Sequence, residues 1–312
     1  MDKATVPSLG QQSIGAVERD TGLGKDTLRA WERRYGFPAP GRDANGERVY
    51  PVEQVAKLRM LKRLIDLGHR PGKIIRCGMA ELQALAQAGL GRDAAQGASG
   101  EIPEPLLQLL ELCRMHKADE LRRALVQVMM RTGIQAFVLD VIAPLNRAVG
   151  EYWQLGKFEV YEEHLYTEVV QNVLRSGIST IPAMQPREQA RPRILLTTFP
   201  QEQHALGLLM AEAIFTLEGA RCVSLGVQTP IADIAQAAQD SDVVALSFSS
   251  TMNVNQALDG LSALGALLPP TMEIWAGGSS AALERCTLPN FHAVELTTVP
   301  QRMAAWRGRH AA

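Results

Sequence analysis

A chain of 312 residues has room for about two or three domains with cores of their own. Its composition, 21% charged and 46% hydrophobic, is that of an ordinary globular protein, and no run approaches the roughly 18 uninterrupted apolar residues of a membrane span. The net charge of −1 hides an asymmetry: residues 1–76 hold 15 Lys and Arg against 9 Asp and Glu, leaving 17 against 24 for the rest.

A basic head on an acidic body points to a polyanion that meets only the head. The opening residues, MDKATVPSLG, lack the apolar core of a signal peptide. Cys77, Cys113, Cys222 and Cys286 are far apart and form no C-x-x-C pair, which fits a reducing cytoplasm better than a disulfide framework or a zinc site.

Helical patterning begins at Ser13. The stretch Ser13-Ile-Gly-Ala-Val opens a short helix and Gly22-Leu-Gly-Lys makes a tight turn. DTLRAWERRYG then runs from Asp26, a good N-cap, to Gly36, a good stop. Two helices across a short glycine turn describe a helix-turn-helix, whose second helix enters the major groove. Arg29 and Arg33 are four residues apart and share one face of that helix, and Arg34 follows. Asn45-Gly46, flanked by Arg42 and Arg48, marks a small basic wing, and Tyr50-Pro51 starts a further helix.

An Arg-rich helix alone is more often a solvated surface. Here TLRAWERRYGFPAP and GERVYPVEQVAKLRMLKRLIDLGHRPGKI follow in order, and together they resemble the DNA-binding domain of the MerR family. The resemblance implies an all-α winged helix-turn-helix over residues 1–87. Thr27, Arg29, Trp31, Arg33 and Arg34 would line its DNA face, with Arg42, Arg48 and Tyr50 from the wing. Arginine grips phosphate or reads guanine edges, and Trp31 is equally suited to the core.

Over 88–104, Gly, Ala, Ser and Pro dissolve the periodicity, and the stretch reads as a linker. Apolar residues then recur at helical spacing (Leu106, Leu109, Leu110, Cys113; Leu121, Leu125, Val128), so 105–181 reads as a helical bundle. Residues 182–192, polar and rich in proline, read as a second linker. Beyond it ILLTTF, RCVSLGV, DVVALSFS, MEIWAGG and FHAVEL alternate with helix-length segments. Apolar strands alternating with helices indicate an α/β, flavodoxin-like (Rossmann-type) parallel sheet over 193–312, with ligands at the carboxyl ends of its strands.

The corner after the first strand reads FPQEQHALG. Glu202 is placed to accept a ring N–H of His204, as partners of metal-ligating histidines do. Gly207 gives a planar group room at the start of the next helix. Ser247 and Ser249 end the third strand, and Gly277 and Gly278 end the fourth. These elements, separated by 39 and 27 residues, resemble the cobalamin-binding motif D-x-H-x-x-G, S/T-x-L, G-G. The resemblance implies that His204 ligates cobalt in place of the cofactor's own dimethylbenzimidazole, with Ser247, Ser249, Gly277 and Gly278 along the displaced tail. Glu202 stands where the motif has Asp, and Ser249 where it has Leu.

GEYWQLGKFEVYEEHLYTEVV places Trp153 ahead of Glu163 and His164. This arrangement resembles the four-helix-bundle cap of the light-sensing MerR regulators of the CarH/LitR type. It implies that all three residues line the upper face of the corrin, around the adenosyl group; Gln154 stands where that pattern has a histidine. The whole implies a cytoplasmic transcriptional repressor, not an enzyme and not a membrane protein. It would bind double-stranded operator DNA as a homo-oligomer (dimer or tetramer) with adenosylcobalamin in the dark, and release it once light breaks the cobalt–carbon bond. Two other readings stay open: a light-independent sensor of cobalamin, and a corrinoid-carrying enzyme subunit.

Overall fold

Capping residues place the first helices. Strand β1 (Gln11–Ser13) ends at Ser13, whose hydroxyl accepts the Ala16 N–H at 3.3 Å and opens α1 (Ile14–Thr21). Gly22 closes α1 at φ 68°, a left-handed conformation that costs glycine nothing. The second helix, α2 (Lys25–Tyr35), is capped by Gly24. Asp26, expected at the cap, lies in the first turn, where its carboxylate meets Arg29 at 3.1 Å. Gly36 ends α2 as expected.

A hairpin follows, made of β2 (Gly41–Arg42) and β3 (Arg48–Pro51). The Asp43 carboxylate holds its loop by accepting the N–H groups of Asn45 and Glu47 at 2.9 and 2.8 Å. β1 pairs antiparallel with the other edge of β3, giving the order β1-β3-β2. The head is therefore not all-α. Gln-Gln-Ser carries no apolar alternation that would announce a strand; an open β3 edge recruits it. Helices α3 (Val52–Asp66), α4 (Pro71–Ile74) and α5 (Met79–Asp93) complete a core that includes Val17, Leu28, Trp31, Tyr50, Leu58 and Leu61. α5 carries on into the stretch expected as a linker, because its alanines, leucines and glutamines favour helix.

The computed structural model describes residues 11–66, 68–93, 102–183, 186 and 189–310. The expected linkers therefore lie in part outside the described residues, at 94–101 and at 184, 185, 187 and 188. The chain separates into two units: residues up to 101 with Gly150–Val160, and Ile102–Val149 with Tyr161 onward.

The second unit opens with α6 (Glu104–Arg114) and α7 (Ala118–Ala136), followed by a π-helical turn over Phe137–Ile142. Next comes α8 (Ala143–Gln154), which carries the chain into the first unit; α9 (Val160–Ser179) brings it back. Leu106, Leu109, Leu110, Cys113, Leu121 and Leu125 are all buried, as their spacing requires. The helical run Ala118–Trp153 meets the length and composition of a membrane span, with mean hydropathy 1.4 in its most apolar window. A bundle helix passes the same test, and Phe137, Val138, Ile142 and Leu145 on this run are fully buried within the protein.

The sheet follows in strict alternation: β4 (Arg193–Thr197), α10 (Leu206–Leu217), β5 (Arg221–Gly226), α11 (Ile231–Ala237), β6 (Val243–Phe248), α12 (Val254–Leu267), β7 (Glu273–Gly278), α13 (Ala282–Arg285), β8 (Phe291–Ala293) and α14 (Val299–His310). Its five strands are parallel in the order β5-β4-β6-β7-β8. The central strands are almost wholly buried, which is why their sequences are continuous apolar runs. Connections reverse direction between β4 and β6, so their carboxyl ends frame the crevice where open α/β sheets bind ligands.

Candidate functional site

The corner after β4 lies at that reversal. The Thr198 hydroxyl donates to the Glu202 carbonyl at 2.6 Å, and the Glu202 N–H donates to the Phe199 carbonyl at 2.9 Å, which pins the loop. The Glu202 side chain is 2% exposed and its two oxygens serve two strand ends. Oε1 accepts the His204 backbone N–H at 3.0 Å and lies 2.5 Å from His204 Nδ1. Oε2 accepts the Ser249 N–H and the Ser249 hydroxyl, each at 2.7 Å.

Because Ser249 spends its single proton on Glu202, the Thr251 hydroxyl at 2.8 Å must donate to Ser249 Oγ. Burial pushes the Glu202 pKa up, but the hydrogen bonds from His204 and Ser249 outweigh it and hold the carboxyl below its ordinary value. The group is an anion at neutral pH, fixed between the ends of β4 and β6. Half of the His204 side chain is exposed, with Nδ1 on Glu202.

The glycines of the motif each sit at a close approach within the protein. A Cβ on Gly207 would overlap the Ser247 hydroxyl, so this glycine lets the start of α10 pack on the end of β6. A Cβ on Gly277 would lie 2.8 Å from the Val294 carbonyl oxygen. Gly278 has φ 119°, and a Cβ there would overlap the Phe248 carbonyl. Ser247, Ser249, Gly277 and Gly278 thus fall at the carboxyl ends of the neighbouring strands β6 and β7.

Of the residues expected at the upper face, Glu163 and His164 lie in the second unit. Glu163 Oε2 is 2.8 Å from His164 Nδ1, and its Oε1 accepts the Thr167 hydroxyl at 2.7 Å. The His164 side chain is exposed. Trp153 belongs to the first unit, where the Arg63 guanidinium lies 5.0 Å from its ring centroid. The side chain of Gln154 lies outside the described residues.

On the head, Arg29, Arg33 and Arg48 line one open cleft with Asp26. Thr27, Arg29, Arg33, Arg34 and Arg42 are exposed. Arg48 is held by Glu32, with Nε 2.8 Å and Nη2 3.4 Å from its carboxylate oxygens, which joins the hairpin to α2. Arg42 Nη1 donates to the Gly46 carbonyl at 2.6 Å and braces the hairpin loop. Burial corrects one expectation and decides one left open: Tyr50 is fully buried and Trp31 is 7% exposed, and both sit in the head's core, where aromatic area is worth most.

Sequence reasoning missed Thr198, Thr251 and the pairing of Glu202 with Ser249. The one signal was that both members of that pair depart from the motif: a longer acid faces a hydroxyl where the pattern has Leu.

Residues 12–77 match the MerR HTH family of regulatory proteins, and 106–176 and 192–293 match two families described as B12 binding domains. A head of this kind joined to such a module defines a cobalamin-binding, MerR-type transcriptional regulator, not an enzyme. The chain is 30% identical over 262 residues to the HTH-type transcriptional repressor CarH of Myxococcus xanthus, covering 83% of this chain and 86% of that protein. It is 32% identical over 238 residues to the HTH-type transcriptional repressor CarA of the same organism, covering 75% of each. The chain belongs to this CarH/CarA family of MerR regulators. In fold it is similar to the Methanosarcina barkeri monomethylamine corrinoid protein, with TM-score 0.50 and 12% identity over 62% of this chain and 94% of that one.

Proposed function

We propose that this regulator is a cytoplasmic repressor that grips operator DNA when loaded with adenosylcobalamin in darkness and releases it on illumination. The observation that carries the reading is the buried Glu202 carboxylate, which joins His204 to Ser249 across the switch point of the sheet. The chemistry of this donor set fits a corrinoid. An imidazole with one nitrogen bound by a buried carboxylate is a strong single ligand. Among the described residues no group of three or more His, Cys, Asp or Glu is placed to hold a bare metal ion. One imidazole suits a metal that arrives with its own equatorial nitrogens.

In this reading the His204 imidazole would ligate the cobalt. Ser247, Ser249, Gly277 and Gly278 would flank the nucleotide tail, and Gly207 would give the planar group room at the start of α10. Trp153, Glu163 and His164 would line the upper face. Adenosylcobalamin supplies a cobalt–carbon bond that light breaks. The chain's own residues supply the response. Trp153 and the cap distinguish a filled upper face from an empty one, and that difference in contacts shifts the balance between two arrangements of the protein. One arrangement favours a homo-oligomer, a dimer or tetramer, so that several heads engage one operator and gain avidity.

The DNA face is Thr27, Arg29, Arg33 and Arg34 on α2, with Arg42 and Arg48 on the hairpin acting as a wing. The proposed divisions are a head over 1–87, a four-helix-bundle cap over 105–181 and a sheet domain over 193–312, with linkers between.

A second reading rests on Gln154, which stands where the light-sensing pattern has a histidine: the protein senses cobalamin without light. Operator duplexes selected from a random library distinguish the two. Light sensing predicts that adenosylcobalamin tightens operator binding in the dark by about tenfold or more, on the scale of allosteric couplings, whereas methyl- and hydroxocobalamin do not. Equal tightening by all three forms favours the sensor of cobalamin abundance.

A further inference from the structure

We propose that Arg63 is the residue through which the DNA-reading head is coupled to the segment that carries Trp153; this rests on the proposed placement of Trp153 at the cofactor. Arg63 sits on α3, in the head, yet is 5% exposed. Arginine is almost never buried to that degree unless its charge is compensated. Its guanidinium lies 5.0 Å from the centroid of the Trp153 ring, within cation–π range, and Nη2 donates to the Phe158 carbonyl at 3.1 Å.

One turn earlier on the same face of α3, Arg59 donates to both oxygens of Asp20 on α1, at 2.9 and 2.8 Å, and reaches Glu159 at 3.3 Å. Two arginines thus clamp residues 153–159 onto α3, and one of them also ties α3 to α1. Asp20 follows Arg19 near the end of α1, directly before the glycine turn that leads into α2 and its Arg29 and Arg33.

The receiving segment is shaped for this contact. After Trp153 the chain turns sharply, with Gly156 N–H donating to the Trp153 carbonyl at 3.0 Å and Lys157 N–H to the Tyr152 carbonyl at 2.8 Å. Gly156 has φ 69°, and a Cβ there would lie 3.0 Å from Arg63 Nη1 and 3.4 Å from the Met60 methyl. Phe158 is fully buried beneath it. A glycine notch, a buried ring and an aimed carbonyl converge on one guanidinium.

The physics makes this contact sensitive to Trp153. Arg63 leans on a ring face and a carbonyl, and shares the field of the Glu159 carboxylate with Arg59, which binds that carboxylate directly. If the ring moves, a buried cation loses part of its compensation, and its hold in the notch weakens. The clamp therefore has two states, closed with the ring in place and open without it. A two-state element that both sites bias is what coupling between them requires. A change at the upper face would then reach the helix-turn-helix through Trp153, Arg63, α3 and Asp20.

Hydrogen exchange and operator binding of the full chain test this together, with Arg63→Gln attacking the clamp from one side and Gly156→Ala from the other. In the cobalamin-free protein, either variant is expected to speed exchange of the amides of residues 155–158 by about tenfold or more, since these amides are hydrogen-bonded while the turn is held. Exchange at the wild-type rate in both variants overturns the clamp. In the loaded protein in darkness, both variants are expected to take up adenosylcobalamin with the wild-type titration. The ratio of operator affinities with and without cofactor should fall toward one.

A variant that keeps the full wild-type ratio overturns the coupling. A wild-type protein that binds cobalamin with no change in operator affinity contradicts the proposed function itself and removes the signal this clamp is said to carry. Failure of that reading is thus seen in the wild type, and failure of the clamp in the variants alone.

Discussion

His204→Ala is expected to weaken cobalamin binding by more than about a hundredfold and to change the dark absorption spectrum of the bound cofactor. Loss of an outer partner of a metal ligand typically costs about 10- to 100-fold in affinity, so loss of the ligand itself should cost more. The spectrum should shift because the proposed His204 imidazole would no longer be available to the cobalt. Ser249→Ala gives the graded comparison. It removes the hydroxyl that donates to Glu202 Oε2 but keeps the backbone N–H that does the same, so it should fall within the outer-partner range. Ser249→Thr keeps the hydroxyl and should restore binding. The His204 side chain is half exposed, so its removal leaves the sheet's core intact and the unfolding midpoint near that of the wild type. Identical dark spectra for wild type and His204→Ala contradict the assignment.

Gly278→Ala is expected to destabilise the sheet-containing unit by more than about 4 kcal/mol, in the range reserved for steric conflicts with no escape. Two costs combine there. At φ 119° an L-residue is strained, and the new Cβ would overlap the backbone carbonyl of Phe248, which cannot swing aside as a side chain can. Gly36→Ala isolates the first cost. Gly36 also has positive φ, 70°, but a Cβ there would meet nothing within 4 Å. A loss of about 1–2 kcal/mol is expected for that variant, the usual cost of a left-handed L-residue. Urea unfolding followed by circular dichroism compares the two. Equal losses contradict the close approach of β7 to the end of β6.

The parallel sheet was legible because strands covered on both faces are continuous apolar runs, and ILLT, VVALSF and EIWAGG can hardly be anything else. The helix-turn-helix was legible through Ser13, Gly22 and Gly36, since capping chemistry is local. What local chemistry does not govern was missed. The Glu202–Ser249 pair spans 47 residues of sequence and exists only because two strands lie side by side. The family resemblance put Tyr50 at the interface and left Trp31 between interface and core, because aromatic side chains serve both; only burial separates the uses. Strand β1 has no apolar signature of its own and forms because β3 offers it an edge. Arg63 was invisible for the same reason as the Glu202 pair: its partners, Trp153 and Phe158, come from a distant part of the chain.

The most direct test of the proposed cobalamin-controlled repression is a single titration of a selected operator duplex, with protein loaded with adenosylcobalamin in the dark and then measured again after green light. The predicted result is tight, strongly salt-dependent binding in darkness that weakens by about tenfold or more on illumination, as a loss of multivalent phosphate contacts demands. Operator affinity unchanged by light, in protein whose absorption shows that the cobalt–carbon bond has been broken, would contradict it.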